Sequence, residues 1–193
     1  TMYPLVLTDS ATMLRRNLRR MRRYPSLTFF IAVIPIVFLL LFVYVLGGTL
    51  GAGLGGPTGS RADYVAYVIP GILLVTVAGA GQGTAISVAM DMTGGIIARF
   101  RTMAVARASV LAGHVLGSVI QTMLALALVM GVAVLMGFRP TTGPAEWLAA
   151  AGLLALTSFA ISWLTVALGM VSDSVETASN LPMPLVLLPF FGS

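Results

Sequence analysis

The chain has no lysine and no cysteine in its 193 residues, one histidine and six acidic side chains. Each shortage removes a chemistry. Without lysine there is no ammonium to reach the outer phosphates of a nucleotide from a phosphate-binding loop, and no amine for a Schiff base. Without cysteine there is no disulfide, thiolate nucleophile or thiolate metal site. One histidine and a few scattered carboxylates leave little from which to build a metal centre or a hydrolytic triad. Charged residues make up 9% of the chain, against roughly 25% in a soluble domain. Hydrophobic residues make up 58%, and the mean hydropathy is +1.00. Such a chain is an integral membrane protein, and lipid admits helices that satisfy their own backbone, so the expected fold class is an all-α polytopic bundle.

All eleven cations are arginine, and six of them, Arg15, Arg16, Arg19, Arg20, Arg22 and Arg23, precede the first apolar run. Leu7, Ala11, Leu14, Leu18 and Met21 recur at steps of four and three on another face. This pattern predicts an amphipathic helix over 1–24, lying in the membrane interface with its guanidiniums among anionic head groups. That placement makes the high isoelectric point a membrane signal and not a nucleic-acid patch.

The rest of the chain, 25–193, reads as a transmembrane domain. Spans are expected near 27–46, 64–90, 110–136 and 147–171, each of about 20 residues or more, the length that crosses the hydrocarbon core. The first contains Pro35, which withholds a backbone donor and predicts a kink. The second starts at Tyr64 and Tyr67, expected as interfacial anchors. Gly79 and Gly83, and then Gly113 and Gly117 in the third span, form small-xxx-small pairs that predict close helix packing. Gln82 is a lone amide in mid-span and needs a partner, either a neighbouring helix or a ligand. His114 reads as a hydrogen-bonded structural histidine, since no carboxylate stands near it in sequence. Thr157, Ser158, Ser162 and Thr165 interrupt the fourth span with hydroxyls able to bond back to helix carbonyls. A fifth apolar run starts at 181 and is too short to cross, so at least one more helix is expected after it. Gly51, Gly53 and Gly56 match a dinucleotide-binding spacing, but no strand precedes them and they read as a loop.

Two polar islands separate the spans, 91–107 and 172–180. With the N-terminus inside, nine of the eleven arginines fall on inner segments and only Arg61 and Arg139 on outer ones. The positive-inside rule therefore puts both islands in the cytoplasm. The spans carry almost no charge, so an ion-coupled carrier would lack its usual relay, and a partner is the natural energy source.

The island residues carry a resemblance. Asp91-x-x-x-Gly95-x-x-x-Arg99-Phe100-Arg101, then Arg107 and Gly113-x-x-x-Gly117, resembles the cytoplasmic loop motif of type-2 ABC exporter permeases of the daunorubicin-resistance class. Glu176-x-Ala178-Ser179, Met183-Pro184-Leu185 and Leu188-Pro189-Phe190 resemble the segment entering that family's fifth span. The similarity runs along nearly the whole chain. Ala104 stands where the family usually has proline, and Ser118 where it usually has aspartate. The resemblance implies a six-span permease, of which about four and a half spans are present here. It implies pairing with a second permease copy, identical or related, and with cytoplasmic ATPase subunits that bind ATP and magnesium, so that this chain holds no cofactor or metal and is not itself an enzyme. Asp91, Gly95, Arg99, Phe100, Arg101, Arg107 and Glu176 would then couple the permease to the ATPase. An amphipathic drug, lipid or glycolipid would be moved outward through the inner (plasma) membrane, along a path touching Tyr44 and Gln82. Two other readings stay open at this stage: an ion-coupled transporter or channel, and a polytopic membrane enzyme using His114.

Overall fold

The computed structural model describes residues 15, 19, 25–47, 61–94, 107–139 and 143–191. The elements are α1 (Pro25–Leu41), continued by a π-helical turn (Phe42–Leu46), α2 (Arg61–Thr93), α3 (Arg107–Leu135), α4 (Pro144–Val171), α5 (Val175–Asn180) and α6 (Met183–Phe191). Among the described residues there is no strand. Among the described residues three helices, Asp63–Thr93, Leu111–Leu135 and Pro144–Val171, are long and apolar enough to cross a membrane; Ile31–Leu46 is a shorter apolar helix. Arg15 and Arg19 are helical and exposed, while Arg16, Arg20, Arg22 and Arg23 lie outside the described residues, as does the 51–56 glycine segment.

The helix ends follow local chemistry. α2 continues past the expected end of its span because nothing breaks it before Gly94. Thr93 Oγ1 donates to the Ala89 carbonyl at 2.9 Å and Gly94 N–H to that of Met90 at 2.9 Å, closing the last turn. Asp91 is therefore helical, and Arg107 already belongs to α3. The 91–107 island is shorter as a connection than the hydropathy pattern indicates. α3 stops at Gly137, whose φ of +104° suits only glycine, with Phe138 N–H returning to Ala133 O at 3.0 Å in the manner of a Schellman cap. Pro144 fits the first turn of α4, where its missing donor is not needed, and Glu146 Oε2 accepts from Gly143 N–H at 3.1 Å. The second island is not a loop: Ser174 Oγ accepts from Thr177 N–H at 3.1 Å and caps α5.

α2 is the axis. It touches every other described element, and its most apolar stretch is 61% buried against 33% in α3 and 28% in α4. At roughly 1.5 Å per residue its 33 residues span about 50 Å, more than the ~30 Å hydrocarbon core. An apolar core joins Leu39 and Val43 of α1 to Val65, Ile69, Ile72 and Val77 of α2 and Leu126 and Val129 of α3. A smaller cluster, Val88, Val115 and Val166, lies nearer the 91–107 end. Outward faces carry large apolar side chains such as Leu135, Leu148, Leu153 and Val171, all more than three-fifths exposed, the surface expected of a multi-pass protein in lipid. Tyr64 corrects the anchor reading. It is 3% exposed within the core, and a side chain at Gly47 would meet its ring at 3.3 Å; Tyr67 points outward.

Candidate functional site

Three helical stripes converge on one open cleft of about 600 Å³. α2 contributes Val75, Gly79, Ala80, Gln82, Gly83, Thr84, Ile86, Ser87 and Met90, a broad stripe at helical spacing along one side of the helix. α3 contributes His114, Gly117, Ser118 and Gln121 at the same spacing, and α1 contributes Ile31, Ile34 and Pro35; Val186 of α6 completes the wall. Pro35 has no N–H to give to the Ile31 carbonyl one turn earlier. Both residues border the cleft, so an acceptor that a continuous helix would occupy lies at its rim.

The polar side chains are held in place by specific bonds. Gln82 Nε2 donates to the Ser179 carbonyl of α5 at 2.6 Å, so the mid-span amide finds a neighbouring helix. Ser118, 7% exposed, joins three helices. Ser162 of α4 donates to its oxygen at 3.0 Å, and Ser118 and Thr84 of α2 lie 2.6 Å apart. Thr84 in turn donates to the Ala80 carbonyl at 3.1 Å. Each hydroxyl has one proton, so the consistent arrangement runs Ser162 to Ser118 to Thr84 to Ala80 O. Ser162 thus bonds across helices, whereas Thr157 and Thr165 bond back to Leu153 and Ile161 carbonyls at 2.8 and 2.9 Å. Ser118→Ala should leave the Ser162 hydroxyl without this acceptor and cost about 1–3 kcal/mol, read as a lower thermal-unfolding midpoint of the purified protein. Ser162→Ala, which removes a donor only, should cost less.

His114 lies at the 91–107 end of the cleft, with Nε2 2.9 Å from Asp91 Oδ2. The pair is nearly buried, at 9% and 13% side-chain exposure. The sequence hides this partner because it is 23 positions away, on the other limb of the α2–α3 hairpin. Asp91 stands two residues before the end of α2 and His114 seven past the start of α3, so no symmetric placement about the connection marks them as partners in the sequence. A catalytic triad would need a hydroxyl on the other ring nitrogen; the nearest in sequence, Ser118, is engaged with Thr84 and Ser162.

The predicted site residues divide accordingly. Gly79 and Gly83 do not form a close contact within the chain: a Cβ at either would meet nothing within 4 Å, because both face the cleft. The close approaches are at Gly81, where a Cβ would lie 2.7 Å from Ile161 Cγ2, and at Gly169, where it would lie 2.6 Å from the Ala85 carbonyl oxygen. Neither follows from the small-xxx-small pairs. Gly113 and Gly117 are buried on α3, Gly117 beside the cleft. Tyr44 is 59% exposed and outside the cleft lining. Glu176 is exposed on α5. Gly95, Arg99, Phe100, Arg101 and Ala104 lie outside the described residues, as does the Arg107 side chain. Among the described residues no cluster of three or more metal-ligating side chains forms.

The sequence pattern of the family described as "ABC-2 type transporter" matches residues 9–193. The chain is also 31% identical over 183 residues to the daunorubicin resistance ABC transporter permease protein DrrB1 of Streptomyces coeruleorubidus. That match covers 95% of this chain and 62% of the relative, so the chain spans about three-fifths of the relative's length. No solved structure matches.

Proposed function

The chain belongs to the ABC-2 type transporter family, and from that premise we propose that it is the membrane-spanning permease part of an ATP-driven exporter, coupled to a separate ATPase through the 91–107 segment. The observation that carries the coupling is the central position of α2. This helix contacts every other described element and leads directly into the segment holding Arg99-Phe100-Arg101, so a displacement of its end is felt by the whole bundle. Asp91 on its last turn is tied to His114 of α3, which makes both limbs of the hairpin move together. Arg107 and the exposed Glu176 flank the same end and belong to the proposed docking surface. ATP and magnesium would be held by the partner ATPase, and a second permease copy, identical or related, would complete the translocator. The arginine distribution supports an N-terminus on the cytoplasmic side of the cell membrane. An amphipathic drug, lipid or glycolipid is the proposed cargo, a reading supported by the resistance named for the relative.

Reconstitution tests the class. Vesicles holding the full-length permease with its ATPase should move an amphipathic fluorophore only with ATP and magnesium, while an ion gradient alone gives no movement. Transport by the permease alone, driven by a gradient, would replace this reading with a secondary transporter.

A further inference from the structure

Resting on the permease reading, we infer that the cleft is a binding site contained within one subunit, and that it takes an uncharged amphiphile whose apolar body lies against α1 and α6 and whose hydrogen-bonding edge lies against α2 and α3. Its volume, about 600 Å³, is in the range of small-molecule pockets, which are mostly apolar with a few placed polar groups. The lining has that character and one further property: among the described residues it contains no Arg, Asp or Glu, and its single titratable member among them is His114. Asp91 beside it is engaged by the His114 ring. A fully charged ligand would be desolvated here against no opposite charge in the lining, which binding seldom repays.

The polar wall is built for carbonyls and hydroxyls. Gln82 gives one N–H to Ser179 O; its second N–H and its oxygen remain for a ligand. Ser87, one turn after Gly83, borders the cleft on its other side, and its hydroxyl has no hydrogen-bond partner among the described residues. Amide and hydroxyl groups both donate and accept, so they match a neutral molecule bearing either. Gly79 and Gly83 form the floor between these groups, and their missing side chains, with open space above both, are what give the cleft its depth.

The glycines also supply the test. Leucine at either position has room and is the better helix former, so it should fill the cleft without disturbing the bundle. Purified full-length permease in lipid nanodiscs, without ATPase, is titrated with a hydroxylated, uncharged polyaromatic ketone and with its quaternary-ammonium analogue. The uncharged probe should bind saturably and at least roughly tenfold more tightly than the cation. Gly79→Leu and Gly83→Leu should each weaken it by roughly tenfold or more. Gln82→Leu should weaken it by about tenfold, the scale of one or two hydrogen bonds. Melting midpoints of the glycine variants should not fall below the wild-type value, and that of Gln82→Leu should fall with the lost Ser179 bond; if a leucine at position 79 or 83 lowers its midpoint, Gly79→Val and Gly83→Ala make the same comparison with less filling. Equal or tighter binding of the cation, or wild-type affinity in the filled variants, overturns the inference. Normal ATP-driven export with no binding in the cleft counts against the cleft alone, whereas cleft binding with no ATP-driven export counts against the permease reading.

Discussion

Gly169→Leu is expected to prevent assembly of the bundle, and Gly169→Ala to weaken it severely. An added Cβ would lie 2.6 Å from the Ala85 carbonyl oxygen, 3.1 Å from Val88 Cβ and 3.2 Å from Ala85 Cα. Two of these atoms are backbone and the third is rigidly attached to it, so no rotamer change relieves the clash; α4 must move off α2. Overpacking of this kind costs about 1–3 kcal/mol and more when backbone must shift. It would also loosen the Ser162–Ser118 bond on the same face of α4. The measurement is the fraction of monodisperse protein in detergent and its unfolding midpoint. Gly79→Ala is the control: its Cβ meets open space, and alanine in a helix interior should add up to about 1 kcal/mol. Equal behaviour of the two alanine variants would refute the close approach of α4 to α2.

Phe100→Ala and Arg101→Glu are expected to abolish ATP-driven export while the permease still inserts and still binds ligand. Aromatic and arginine residues dominate interface energies, and truncating such an anchor costs about 2 kcal/mol or more, roughly a thirtyfold loss of ATPase affinity. Charge reversal at Arg101 removes a cation from the proposed docking segment and puts an anion in its place. Were Arg99-Phe100-Arg101 only a lipid-facing positive-inside anchor, the two substitutions would alter insertion or orientation and leave ATPase binding intact. Co-purification of the ATPase and substrate-stimulated ATP hydrolysis separate the cases. If both variants keep full ATPase binding and stimulated hydrolysis, the coupling role of this segment is wrong.

The legible part of this protein is what one dimension encodes. Apolar runs located the helices within a few residues, since lipid demands long, uncharged, self-satisfied segments. The motif residues from Asp91 to Gly117 pointed to the transporter family before any geometry. α2 runs on to Thr93 and α3 starts at Arg107, both inside the polar island, because hydropathy reports transfer to lipid and helicity does not stop where polarity begins.

What the sequence could not decide is rotation and pairing. Gly79, Gly81 and Gly83 are all small residues on α2, but successive residues turn by about 100°, so Gly81 faces nearly opposite to the other two. The packing of α4 on α2 selected Gly81 and Gly169 for contact, and left Gly79 and Gly83 as the floor of a cleft. Likewise, Asp91 and His114 became partners only when α3 turned back along α2. The sequence alone determined that these helices form and cross a membrane, because that depends on each segment's own composition. Only the tertiary structure determined which face of each helix is filled, paired or left open, because that depends on the rotational setting of one helix against another.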